Sequence, residues 1–261
     1  MVALAHNVSG ALRSGGNFST NDDMKTELQY STNIHSERST LPDAKPVLPA
    51  VASTVVYLED CVQALKRFDD NYFDVAIVDP PYGIGRSGQT ETFTKNPKHK
   101  RKHFADKGWD TETPASEYWN ELFRVSKNQI VWGANYFTEY LPASMGWIFW
   151  DKGQDLSMSD GELAYTSFNR ALRRVKINRG QLMVEGGTIH PTQKPIKLYD
   201  WIIQNYCAEA NLILDTHVGS GSSRIAAAKA GKQFIGFEID PEYYEKQEKR
   251  FNDWNSQLRM F

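Results

Sequence analysis

Asp79, Pro80, Pro81 and Tyr82 follow directly on an apolar run of strand length, Val75-Ala76-Ile77-Val78. Neither proline can continue a strand ladder or sit inside a helix, so the chain must turn at this point. The turn places a carboxylate and an aromatic ring at the carboxyl end of a buried strand, where open α/β sheets gather their ligand chemistry. Together they form a pincer for a flat group that carries an amine. A Pro-Pro turn without chemistry is the plainer reading, and a second constellation decides between the two.

That constellation starts at the apolar strand Leu212-Ile213-Leu214, which runs into Asp215-Thr216-His217-Val218-Gly219-Ser220-Gly221. A helix is predicted next, capped by Ser222, filled by Ile225 to Ala228 and ended by Gly231. The following strand, Phe234 to Phe237, ends at Glu238, 17 positions after Gly221. A strand, a Gly-x-Gly turn, a helix and an acid after the next strand are what a nucleoside-bearing cofactor requires. The glycines admit close backbone approach, the helix N-terminus offers free N–H groups, and the acid meets ribose hydroxyls. Arg224 stands where a dinucleotide fold would carry its third glycine, which argues against NAD and for a smaller adenosyl ligand. Just upstream, His190-Pro191-Thr192-Gln193-Lys194-Pro195 holds a lysine between prolines, able to meet a cofactor carboxylate.

The elements that must position these groups follow from hydrophobic patterning. Thr54 to Leu58 reads as a strand, and a short helix with Val62, Leu65 and Phe68 on one face leads to the Val75–Val78 strand, a parallel-type unit. Residues 117–125 read as a helix, and 129–132, 146–150 and 163–166 as strands. A helix over 196–208 precedes the glycine motif, and a polar helix starts near Pro241. Residues 1–50 are rich in Ser, Thr, Asn and Gly, and they read as a flexible extension. A length of 261 residues with 40% hydrophobic content suits one large domain. No apolar run reaches the roughly 18 residues of a membrane span. Cys61 and Cys207 stand far apart without metal-ligand spacing, as expected of structural thiols in a reducing cytoplasm. The net charge of −2 is uninformative, but its distribution is not. Arg86, Lys98, Lys100, Arg101 and Lys102 form one basic run, and Arg173, Arg174 and Lys176 lie in another. Both fall in segments read as loop or hairpin, which favours phosphate contact.

In type and order these motifs resemble the β-class DNA amino-methyltransferases, in which the catalytic DPPY precedes the glycine motif. The matches are DPPY at 79–82, HPTQKP at 190–195, DTHVGSG at 215–221, and Gly236, Glu238 and Tyr243 for G-x-E-x-x-x-x-Y. His217 departs from the family's phenylalanine. The resemblance implies an α/β, Rossmann-like, mostly parallel sheet with one antiparallel strand, helices on both faces and a circularly permuted motif order. It implies a methyltransferase domain over 51–261 with a short target-recognition insertion at about 150–189. The implied cofactor is S-adenosyl-L-methionine, with no metal, and the implied acceptor is the exocyclic amine of adenine in a flipped-out base of a specific DNA site. Asp79 and the Pro80 carbonyl would take the amine hydrogens, on the turn that Pro81 stiffens, and Tyr82 would stack on the base. Asp60 would meet the cofactor adenine and Glu238 its ribose. Asp215, Gly219, Ser220 and Gly221 would line its methionine end, and Thr192 and Lys194 would hold its carboxylate. Cytosine-N4 methylation, an RNA substrate and a silent DNA-binding module are the alternatives. A cytoplasmic setting is expected, nucleoid-associated in a prokaryote or phage-encoded. A homodimer and a cognate restriction endonuclease are compatible with the resemblance, and the sequence selects neither.

Overall fold

Along the second strand, successive side chains enter opposite cores: Val75 and Ile77 pack into one, Ala76 and Val78 into the other. This is the period of two that a sheet covered on both faces demands. The computed structural model describes residues 53–89, 102–153 and 159–258; the N-terminal extension read over 1–50 lies outside them.

The strands are β1 (Thr54–Leu58), β2 (Phe73–Val78), β3 (Ser126–Trp132), β4 (Trp147–Asp151), β5 (Gly161–Thr166), β6 (Arg173–Lys176), β7 (Leu212–Asp215) and β8 (Gln233–Glu238). The helices are α1 (Cys61–Leu65), α2 (Ser116–Val125), α3 (Gln181–Val184), α4 (Ile196–Tyr206), α5 (Ser222–Lys229) and α6 (Pro241–Leu258). The sheet order is β1-β8-β7-β2-β3-β5-β4-β6. Among the described strands of this sheet, only β5 runs against both of its neighbours, and every other pairing of these strands is parallel. One core lies under α4 and α5, where Leu198, Tyr199, Ile202, Ile203 and Tyr206 repeat at helical spacing. The opposite core lies under α1 and α2, with Tyr118, Trp119, Leu122 and Val125 facing the sheet. Arg124, in the last turn of α2, donates to the carbonyls of Leu65 and Phe68 and pairs with Glu121, locking that layer to the β1–β2 connection.

The topology sets the place of chemistry. From β7 the chain crosses through α5 to β8 on one side, and from β2 through α2 to β3 on the other. The β2–β7 seam is therefore the switch point, and the crevice opens at the carboxyl ends of its strands. Asp79 and the glycine motif both leave the sheet there.

Two local expectations need correction. Ser222 does not cap α5: the cap residue is Gly221, left-handed at φ 72°, and no side chain caps the helix. The second basic cluster is not a loop, because Arg173–Lys176 pairs in parallel with β4 as the edge strand β6. The stretch expected at about 150–189 contributes β5, β6 and α3. Both cysteines are buried and free, and burial pushes each thiol up to about 12, which favours the protonated form. Among the described residues no helix is long and apolar enough to cross a membrane.

Candidate active site and cofactor cleft

Asp79 leaves the end of β2 into a partly buried ionic cluster. Its Oδ1 accepts from the Tyr82 hydroxyl at 2.6 Å and its Oδ2 from Lys194 Nζ at 2.5 Å. Lys194 Nζ also stands 3.2 Å from Glu162 Oε2, and Lys152 Nζ lies 3.0 Å from the other Glu162 oxygen. Glu162 reaches this edge because β5 is antiparallel: Ala164 pairs with Trp132, the last residue of β3, so Glu162 lies just beyond that strand's carboxyl end. Cations and anions thus alternate from Lys152 through Glu162 and Lys194 to Asp79, as burial requires of charges that remain charged. Burial raises the Asp79 pKa, and Lys194 works against that rise. Burial disfavours the Lys194 ammonium, yet Asp79 and Glu162 hold its pKa above the ordinary lysine value. Glu162 is held below the usual range because Lys194 and Lys152 together outweigh its burial.

The Tyr82 ring has a prepared seat. Gly133 follows β3 at φ 66°, and a Cβ there would lie 2.2 Å from Tyr82 Cε1, so only glycine leaves room for the ring. Tyr136 stacks on Tyr82 with centroids 5.1 Å apart and planes 17° apart. The backbone beyond is fixed by the buried Asp110. Its Oδ1 accepts from the N–H groups of Tyr82 (2.6 Å) and Gly83 (2.9 Å), and its Oδ2 from that of Arg86 (2.7 Å).

Beside this corner opens a cleft of about 510 Å³, within the range of small-molecule sites. Its wall takes in Asp60, Asp79, Pro81, Thr192, Lys194, Gly219, Ser220 and Glu238. Four other residues named from the sequence, Pro80, Tyr82, Asp215 and Gly221, are not part of that wall. Glu238 is held by the backbone N–H groups of Gly219 (2.8 Å) and Asp240 (2.9 Å), and burial raises its pKa. Behind the wall, Asp215 accepts from the His217 N–H and the Ser223 hydroxyl, and burial carries its pKa to about 7. Asp60 caps α1 by accepting from the Gln63 N–H. One side of the cleft is aromatic: Trp109 stacks on His190 at 5.3 Å, and His190 meets Tyr243 edge-on at 4.3 Å. Burial, assisted by Lys194, lowers the His190 pKa to about 3, so that ring is neutral. Burial likewise takes His217 to about 4.

This donor set fits an adenosyl cofactor. The cleft offers a carboxylate at a strand end for a diol and an uncharged aromatic wall for a purine. The Trp109 indole N–H in that wall is buried with no partner among the described residues, the orphaned donor that a bound ligand would satisfy.

Of the basic residues, Lys98, Lys100 and Arg101 lie outside the described residues. Arg86 and Lys102 are exposed, and Lys102 Nζ donates to the Thr188 carbonyl. Arg173, Arg174 and Lys176 project from the edge strand, with Arg174 paired to Asp151. Sequence reasoning passed over Lys152, Glu162, Asp110, Gly133 and Tyr136. A lysine directly after a strand-like run and an acid opening the next were the available signals for the first two.

Comparisons with known proteins agree with this geometry. Residues 129–249 match the N6/N4 methyltransferase family of DNA methylases. The chain is 26% identical over 246 residues to the Type II methyltransferase M.HpaI of Haemophilus parainfluenzae, covering 76% of this chain and 75% of that one. It is 26% identical over 245 residues to the Type II methyltransferase M2.DpnII of Streptococcus pneumoniae, covering 75% and 88%. The fold is shared with the crystal structure of the M1.HpyAVI–SAM complex, at a TM-score of 0.50 and 21% identity over 76% of this chain and all of that one. In its family match and its relatives the chain is similar to the S-adenosylmethionine-dependent DNA amino-methyltransferases of the N6/N4 type.

Proposed function

We propose that this enzyme methylates the N6 amine of adenine at a specific DNA site, with the base turned out of the duplex into the Asp79–Tyr82 corner. The observation that carries the reading is the half-buried Asp79 carboxylate, standing in the cofactor cleft wall and hydrogen-bonded to the Tyr82 hydroxyl. The exocyclic amine is a poor nucleophile because its lone pair is delocalised into the ring. Asp79 and the Pro80 carbonyl each accept a hydrogen bond from the amine, which favours a pyramidal nitrogen with its lone pair free, and the methylated nitrogen then sheds one proton to solvent. S-adenosylmethionine supplies a methyl group already attached to a cationic leaving group. Orientation and electrostatics then provide most of the catalysis. Entry of the base exchanges the Tyr82–Asp79 hydrogen bond for the amine–Asp79 bond, and the Tyr82 ring stacks on the base. Stacking offsets part of the cost of unstacking the duplex. Thr192, Gly219, Ser220 and Glu238 hold the cofactor, with Asp215 and Gly221 shaping the loop behind it and Asp60 at its adenine end. Arg86, Lys102, Arg173, Arg174 and Lys176 contact phosphates, positioning the strand without reading it.

The test is incubation with methyl-labelled S-adenosylmethionine and unmethylated genomic DNA, digestion to nucleosides, and identification of the labelled product by mass. Label in N6-methyladenine, abolished by Asp79→Ala with cofactor binding retained, is the expected result. Label in N4-methylcytosine would refute the base assignment, and label only in RNA would refute the DNA substrate.

A further inference from the structure

Lys194 is the residue whose position departs most from a cofactor-clamping role. Its Nζ is bonded to Asp79 at 2.5 Å, stands 3.2 Å from Glu162, and lies 5.3 Å from the Trp132 ring centroid. Only 4% of its side chain is exposed. Glu162 is itself held from its far side by the buried Lys152, which rests over the Trp150 ring. A lysine on a flexible four-carbon stem is a mobile charge unless something fixes it. Here a second acid, with its own counter-cation, does so.

We propose that Lys194 acts on Asp79 rather than on the cofactor carboxylate, and that Glu162, anchored by Lys152, is the positioning residue that holds it there. The inference rests on the reading of Asp79 as the acceptor of the amine hydrogen. The carboxylate form of Asp79 accepts that hydrogen bond roughly twice as strongly as the neutral acid, and burial works against that form. Six titratable groups act on or around Asp79: Lys194, Glu162 on β5, Tyr82 on its own turn, Tyr199 on α4, Asp215 on β7 and Tyr118 on α2. Lys194 alone among them carries a positive charge, so the ionisation of Asp79 depends on it.

The experiment compares wild type with Lys194→Met, Glu162→Gln and the double variant. The double variant removes one charge of each sign and leaves the cluster neutral, which guards against misfolding of the single variants. Cofactor affinity is measured by titration calorimetry, and kcat is followed against pH with saturating DNA. Loss of a cation within hydrogen-bond distance should move the acid limb for Lys194→Met up by about one to three pH units. S-adenosylmethionine affinity should stay within about threefold. Glu162→Gln should lower kcat about tenfold with KM for cofactor and DNA held, a split that a merely structural role would not produce. Cofactor affinity weakened tenfold or more in Lys194→Met, whether or not the limb moves, would overturn the proposal by making Lys194 a cofactor clamp. An unchanged kcat in Glu162→Gln would overturn the positioning role. A carbon-13 carboxyl titration of Asp79 in wild type and Lys194→Met reads the same shift without turnover. A protein that shows this shift but labels no DNA would refute the functional reading and leave the inference standing.

Discussion

Replacing Gly133 with alanine is the sharpest single perturbation of the candidate site, because its cost divides into parts fixed by geometry. The residue stands at φ 66°, and a Cβ in that region costs about 1–2 kcal/mol. The new methyl would meet Tyr82 Cε1 at 2.2 Å, Cζ at 2.4 Å and Cδ1 at 2.6 Å. Ordinary contact begins at 3.4 Å, so the ring must retreat by more than an ångström. Such overpacking costs about 1–3 kcal/mol. The retreat also draws the hydroxyl away from Asp79, a hydrogen bond to a charged group worth about 1.5–3 kcal/mol. A total of about 3.5–8 kcal/mol is therefore expected. Gly231→Ala supplies the control: its φ is also 66° but nothing lies within 4 Å of the added carbon, so only the backbone cost of about 1–2 kcal/mol applies. Urea denaturation of both variants, with wild-type methyl transfer as reference, measures the difference. Equal destabilisation of the two within about 0.5 kcal/mol, with activity intact in both, would refute the seating of Tyr82 against Gly133.

Asp110→Asn leaves one oxygen able to accept where two served three N–H groups. The Arg86 amide should lose its partner at a cost of about 1–3 kcal/mol, and faster hydrogen exchange at Arg86 with Tyr82 and Gly83 protected is the expected signature. Reversing charge at Arg173, Arg174 and Lys176 together should flatten the salt dependence of DNA affinity by about 0.9 for each phosphate no longer neutralised; an unchanged slope in a binding titration would remove β6 from the DNA interface. His190 and His217 have folded pKa values of about 3 and about 4, below the unfolded value of about 6.5. The unfolded chain therefore binds protons first as pH falls, so the stability these rings contribute is full above pH 6.5 and lost toward pH 4 and 3. His217→Phe or His190→Phe should each shallow the acid-side decline by up to about 1.4 kcal/mol per pH unit, read from denaturation between pH 5 and 6.5.

The parts of this molecule that were legible in the sequence are those governed by local rules. Val75–Val78, Leu212–Leu214 and Phe234–Phe237 are apolar runs of strand length bounded by turn residues, and each is a core strand. The DPPY and Gly-x-Gly turns signal their own backbone geometry. The cap of α5 was misread because Ser222 has the chemistry of a cap, whereas the left-handed Gly221 takes the position through conformation. The basic edge strand was misread because Arg173, Arg174 and Lys176 leave Val175 as the only apolar residue, and an edge strand needs only one buried face. The roles of Lys152, Glu162 and Asp110 were illegible for a different reason, although the first two carried a local signal of position. Their roles arise where separate elements converge on one sheet edge, and nothing in the spacing of 79, 110, 152, 162 and 194 records that convergence.

The sheet order bears also on how the chain is made. Thr54 of β1 pairs with Phe234 of β8, a partner that leaves the ribosome 180 residues later. At about 5–20 residues per second that interval is roughly 10–40 s. β2 can pair with β3 early, but its other edge waits for β7, whose Ile213 meets Val75. Two apolar strand edges therefore remain open through most of synthesis, and non-local pairings of this kind are slow to close. The β7–α5–β8 segment is the piece that seals both at once. Translation arrested before Glu238 would release a chain with an unsealed sheet and a strong tendency to aggregate, while a separately synthesised β7–α5–β8 fragment would be a natural candidate for complementing it.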